Sequence, residues 1–282
     1  MNKKLFGLIM VFIFAAEAFC VPFGMDFEDP IKVFPMWIII SIFLIIGFFI
    51  IFGKIRDREE RLKYNKAIVQ SLENDKRLLE TVTKSNRGTG AERNLVLKLL
   101  KNGIPAQTIF HDLYVEKFNG RFSQIDLVVA TNVGIIVFEI KDYSGWIFGN
   151  GNYQQWTQVL AYGKRKHRFY NPIMQNNKHI ADLRKRHKQF EKVPFYSIVV
   201  FYGDCELKDI SFVPQGTFIA KSGRELDVVN NIINNNEPAT FTDKWEVIRV
   251  LKEAVQNGDN IEAQTQHIEN VRDMLGKDRI FD

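Results

Sequence analysis

Residues 122–141 read Phe-Ser-Gln-Ile-Asp-Leu-Val-Val-Ala-Thr-Asn-Val-Gly-Ile-Ile-Val-Phe-Glu-Ile-Lys, two apolar, β-branched runs joined by a short loop. Runs of this kind become buried strands. This pair also carries Asp126, Glu139 and Lys141. An isolated charge in such a strand is expensive to desolvate, so these three are either paired or bind a metal. Pairing Ala130 with Ile135 across the 131–134 loop sets Asp126 opposite Glu139 and Gln124 opposite Lys141. Directly opposed side chains have Cβ atoms about 4.5–5.5 Å apart, close enough for two carboxylates to share one cation. Glu139 and Lys141 are two residues apart and share a face, whereas Ile136, Phe138 and Ile140 point the other way into apolar packing.

Two carboxylates at that distance repel, and one protonates unless a cation compensates them. Oxygen ligands of this kind suit Mg²⁺, which keeps several waters and accepts phosphate oxygens. Asp126 and Glu139 are therefore the expected metal ligands, with Lys141 orienting water or neutralising charge on a phosphate. Gln124 is a candidate support for Lys141. The competing reading is a structural Asp/Glu/Lys ion network.

The flanking sequence predicts a mixed α/β core. A helix begins after Thr89, with an apolar face of Leu95, Val96, Leu99 and Leu100 and Gly103 at its end. Strands are expected near 108–116, 122–130, 135–141, 195–202 and 217–220. Asn171-Pro172 opens a helix to about residue 190, with proline suited to its first turn. Gly145, Gly149 and Gly151 read as a flexible turn. Two amphipathic helices are expected over 243–257 and 261–275. Thr89-x-x-Glu92 also matches a capping box, so Glu92 either caps its helix or faces the site.

Residues 33–53 form a charge-free apolar run between Lys32 and Lys54, long enough to cross a bilayer core of roughly 30 Å. Residues 5–16, after Lys3 and Lys4, resemble the core of a signal peptide, with Ala16-Glu17-Ala18 as a cleavage pattern; a first transmembrane helix is the alternative. Lys54, Arg56, Arg58, Arg61 and Lys63 follow the second run, which places the rest of the chain in the cytoplasm by the positive-inside rule. The expected segments are 1–20 (signal or first span), 33–53 (span), 54–85 (charged helical stalk), 86–220 (catalytic domain) and 221–282 (helical extension). The stalk offers a surface for self-association. The expected location is the cell (inner) membrane, crossed once or twice.

The formal net charge is +5, mildly favouring a polyanionic partner. Lys164, Arg165, Lys166 and Arg168 form a dense basic run followed by Phe169-Tyr170, suited to phosphate contact and base stacking. Arg184 to Lys188 form a second cluster, read as solvated surface. Anionic lipid is a rival partner for both. His111, His179 and His267 show no spacing that suggests a triad or metal site.

Asp126 followed by Glu139-Ile140-Lys141 resembles the core of the PD-(D/E)xK nuclease superfamily. Gly90-Ala91-Glu92, Gln124-Ile125-Asp126, Gly134, Ser144-Gly145, Trp156, and Asn171-Pro172 with Gln175 further resemble the nuclease-related domain, NERD, over about residues 87–200. That resemblance implies a restriction-endonuclease-like core, Mg²⁺ dependence and a nucleic-acid substrate. It also implies that Glu92 points at the site and that Gln175 contacts substrate or metal water. The expectation is a membrane-anchored, Mg²⁺-dependent nuclease acting on DNA or RNA, with DNA placed first. A catalytically silent nucleic-acid scaffold at the membrane is the alternative.

Overall fold

The computed structural model describes residues 30–117, 120–160, 163–260, 262–265 and 268, with side chains from residue 41 onward. The expected signal segment and most of the expected helix over 261–275 lie outside the described residues. The chain divides into two compact units, residues 1–70 and 71–282. One long helix, α1 (Pro30–Glu80), passes through the first. The apolar run 33–53 is helical, but among the described residues no helix is long and apolar enough to cross a membrane. The described residues therefore do not support the expected span; the side chains of 33–40 lie outside them. From Ile42 to Phe52 the apolar side chains other than Phe48 are exposed, Phe43 at 70% and Phe49 at 67%.

The second unit is built on two mixed sheets. The first has the order β1-β2-β3-β7-β9, from β1 (Ile109–Glu116), β2 (Phe122–Thr131), β3 (Gly134–Asp142), β7 (Phe195–Tyr202) and β9 (Thr217–Lys221). Strands β1, β2 and β3 run antiparallel, while β3, β7 and β9 run parallel. Ala130 pairs with Ile135 as the hairpin sequence predicts. One face packs Ile136, Phe138 and Ile140 against Leu95 and Leu99 of α2 (Gly90–Lys101) and against Val229 and Ile232 of α4 (Glu225–Asn234). The other packs Ile135 and Val137 against Leu183 of α3 (Pro172–Arg186) and Val250 and Leu251 of α5 (Lys244–Asn257). Helices α4 and α5, beyond residue 220, thus pack on this same sheet.

The antiparallel edge contains a kink. β1 and β2 keep one register on either side of Asp112 and Asp126, yet these two opposed residues do not pair. Asp112 sits in the left-handed region at φ 56°. Phe110 and Leu113, three apart, join the same core cluster, as do Ile125 and Val128. In a regular strand such residues would face opposite sides. Both strands therefore turn over at this point, which re-aims the side chains beside it, as bulges do near functional sites.

The second sheet, of order β6-β5-β4-β8, is not foreseen by the sequence patterns. Its strands are β4 (Gly145–Asn150), β5 (Gln155–Leu160), β6 (Arg165–Tyr170) and β8 (Cys205–Ser211). The expected glycine turn is in fact mostly strand β4. Gly145 supplies the corner at φ 77°, and a side chain on Gly149 would meet the Trp156 ring at 2.3 Å. The glycines make a bend and a space for an indole, rather than a mobile loop. Trp156 stacks on Phe201 at 6.1 Å and packs edge-on to Phe169 at 6.2 Å, joining the two sheets.

Asn171 explains why the Asn-Pro pair is where it is. Its side chain accepts from the amides of Ile173 and Met174, capping α3, and donates to the carbonyls of Asn150, Gly151 and Tyr153. The residue is fully buried. Asn171→Ala should cost about 3 kcal/mol, combining a lost cap with stranded buried carbonyls. Urea unfolding followed by tryptophan fluorescence measures it.

Candidate active site at the end of strand β3

Alternation along β3 puts Glu139 and Lys141 on the face covered by α3. Lys141 Nζ donates to Glu139 Oε1 at 2.6 Å and to Gln175 Oε1 at 3.1 Å. Glu139 is 1% exposed. Its second oxygen lies 3.4 Å from His179 Nε2, and neither atom has a hydrogen-bond partner. The ring's Nδ1 is 3.1 Å from the Ser123 hydroxyl. Gln175 and His179 are one helical turn apart, so both can face β3. Asn176 fastens that turn, donating to the Val137 carbonyl at 2.8 Å and to Ser197 Oγ at 2.9 Å.

Asp126 joins this group by a route the sequence does not give. The β2–β3 ladder ends at Leu127↔Phe138, one step before Asp126 would oppose Glu139. Instead the Ile140 amide donates to Asp126 Oδ2 at 2.7 Å. The expected direct pair is corrected accordingly: the kink at residue 126 takes the strand off the ladder and turns its carboxylate toward the end of β3. Gln124 needs the same correction. It does not brace Lys141, but donates to Asp112 Oδ1 at 2.7 Å, and Asp112 Oδ2 also accepts from Arg87 Nε at 3.0 Å.

The electrostatics separate the two carboxylates. Burial, then the Glu139 and Glu92 charges, push the Asp126 carboxyl well above its ordinary value; Lys141 and the Ile140 amide offset this only in part. Burial also pushes Glu139 up, but Lys141 and His179 outweigh it and leave Glu139 below the usual range. Burial disfavours the Lys141 ammonium, yet the Glu139 charge outweighs that and holds its proton more firmly than usual.

Glu92 takes the capping role foreseen for it. Thr89 Oγ1 accepts from the Glu92 amide at 3.3 Å and donates to Glu92 Oε1 at 2.8 Å. Glu92 Oε2 faces His111 Nε2 at 3.1 Å, and His111 Nδ1 faces Thr83 Oγ1 at 2.8 Å. The Glu92 side chain thus meets Thr89 and His111 rather than Lys141, and only its charge is felt at Asp126. His111 and His179 were without visible partners in the sequence. His179 is four residues from Gln175 on a helix, which is the one signal that could have revealed it.

Among the described residues no group of three or more His, Cys, Asp or Glu side chains is gathered for a metal. A zinc site of protein ligands alone is not formed by them. Mg²⁺ needs less, because one or two carboxylates suffice when water and phosphate oxygens complete the shell. The Oε2 of Glu139, free of hydrogen bonds, and the Asp126 carboxyl, raised by burial and then by neighbouring charge, fit that demand.

The basic run lies on β6, an exposed edge strand, with Lys164 just before it. The second cluster is largely exposed, as expected, and part of it is engaged within the molecule: Arg184 covers the Phe195 ring at 4.9 Å, Arg186 meets Glu116 and Glu253, and His187 meets Glu246.

Residues 87–202 match the nuclease-related domain family. An uncharacterized protein of Bacillus anthracis is 31% identical over 125 residues, which is 44% of this chain and 57% of that relative. The chain thus spans little more than half the length of the curated relative it matches. No solved structure matches it. The stretch containing Glu92, Asp126, Glu139, Lys141 and Gln175 is thus the part of the chain that matches the nuclease-related domain, NERD.

Proposed function

We propose that the protein is a divalent-metal-dependent nuclease that hydrolyses phosphodiester bonds, with DNA as the first candidate substrate and RNA the second. The observation that carries this reading is the Glu139 carboxylate, buried, with one oxygen on Lys141 and the other beside His179 without a hydrogen bond. Glu139 and Asp126 would hold Mg²⁺. Once bound, the ion supplies Lewis acidity at the scissile phosphate and acidifies water. Lys141 neutralises charge that develops on the phosphate oxygens. Gln175 keeps the ammonium aimed, and Lys164, Arg165, Lys166 and Arg168 attract the backbone. The full chain should cut labelled DNA or RNA with Mg²⁺ and stop in EDTA; cutting that survives EDTA, or none on any substrate, supports the silent scaffold instead.

Asp126→Asn separates a functional carboxylate from a structural one. Asparagine still accepts from the Ile140 amide but relieves the repulsion from Glu139 and Glu92. In EDTA the variant should be as stable as the parent or about 1 kcal/mol more so, and inactive with Mg²⁺. A clear loss of stability in urea would mark Asp126 as structural.

Attachment to the cell membrane, with the nuclease domain cytoplasmic, belongs to the same proposal. It rests on the exposed apolar turns between Ile42 and Phe52 and the cations that follow them. Exposed Leu62, Ile68, Val69 and Leu72 extend the proposal to self-association along α1. Sedimentation of the full chain with membranes, against residues 54–282, tests attachment.

A further inference from the structure

The second sheet has an inner and an outer face, and register assigns each residue to one of them. Trp156 pairs with Phe169, and both pack inward, with Ile147, against Val199 and Phe201. Residues one step along each strand must therefore face outward. In β6 these are Lys166, Arg168 and Tyr170; in β4 they are Trp146 and Phe148. The pairs Thr157↔Arg168, Val159↔Lys166, Trp146↔Val159 and Phe148↔Thr157 put them in continuous rows across the sheet. Phe148 is 36% exposed and Tyr170 37%. Lys208 of β8 lies over the Trp146 ring at 5.3 Å. Among the described residues no carboxylate pairs with Lys166 or Arg168. The acidic groups of this face, Glu206 and Asp209, sit on β8 at the opposite edge, and Glu206 is held by Lys208.

Aromatic rings on the open face of a sheet, interleaved with unpaired cations, are suited to a strand whose bases are free to stack and whose phosphates run beside them. A duplex hides its base faces and would use only the cations. We infer that the outer face of β6-β5-β4 is a binding platform for single-stranded nucleic acid, with Tyr170 and Phe148 stacking bases and Lys166 and Arg168 meeting phosphates. The inference deepens the nuclease proposal by naming the form of its substrate. The platform is joined to the site by chain: β6 ends at Tyr170, and Gln175 follows within the first turns of α3.

The experiment is fluorescence anisotropy of the full chain in EDTA, so that binding is read without cleavage. Probes are a short labelled oligothymidylate, a duplex of equal length and phosphatidylglycerol vesicles. The oligothymidylate should bind more tightly than the duplex. Tyr170→Ala and Phe148→Ala should each weaken it about tenfold while leaving the duplex unchanged, and Tyr170→Phe should restore it. Arg168→Ala should lower the salt slope on the single strand by about 0.7. Equal affinity for strand and duplex, aromatic variants that bind like the parent, or capture by vesicles alone would each overturn the platform. Cleavage with Mg²⁺ by variants that bind normally would leave the nuclease standing without the platform. Selective binding without cleavage would leave the platform standing without the nuclease.

Discussion

Glu139→Gln should lower cleavage by about 10²–10³-fold at saturating Mg²⁺ while leaving the fold in place. Glutamine keeps an oxygen for the Lys141 ammonium, which now donates to Oε1 at 2.6 Å. What it removes is the negative charge at Oε2, the buried atom that has no hydrogen-bond partner and lies 3.4 Å from His179 Nε2. The loss should fall on turnover and on Mn²⁺ affinity read by calorimetry, and the urea midpoint should fall less than when the lysine is removed, because the Lys141 side chain is 18% exposed and that of Glu139 1%. A variant that unfolds early but cuts at the parental rate when folded would assign Glu139 to structure and end its role as a ligand.

Lys141→Met should produce the largest stability change near the site, a loss of about 3–5 kcal/mol at neutral pH. Methionine fills the space of the lysine stem but leaves Glu139 buried with only the His179 ring beside it. In the parent protein Glu139 is held below its ordinary value. Its pairing therefore stabilises the fold above the unfolded carboxyl range, and that contribution is lost as pH falls through the lower folded value. Without Lys141, burial dominates and the carboxyl is pushed up, so the variant can relieve its penalty by protonating. The gap between parent and variant should thus be widest at neutral pH and close as pH drops below about 4. Urea midpoints across that range measure it, and a gap that widens toward acid would refute the assignment of Lys141 as the partner of Glu139.

The hairpin from Phe122 to Lys141 was legible because its pairing follows from a period-two pattern and a short loop, and Ala130 does meet Ile135. The face shared by Glu139 and Lys141 followed from the same period. What alternation could not reveal is the reversal of faces at Asp112 and Asp126. It depends on a left-handed residue in a neighbouring strand, and aspartate tolerates that conformation without announcing it. The second sheet was hidden for a different reason. β6 is an exposed edge strand of Arg-Lys-His-Arg-Phe-Tyr, so no apolar alternation marks it, and in β4 Gly145 turns a corner while Gly149 makes room for Trp156. His179 stayed silent because its partners, Ser123 and Glu139, are far away in sequence and meet it only when α3 lies across β2 and β3.

One asparagine sets a length scale for the proposed enzyme. Asn171 fixes the start of α3, and with it Gln175 and His179, to the carbonyls of residues 150, 151 and 153 at the rim of the second sheet. Grip and blade are therefore clamped to each other rather than hung on a hinge. A strand seated on that sheet and severed beside β3 would be nicked at a constant offset from its stacked bases, leaving fragments of uniform length at the held end.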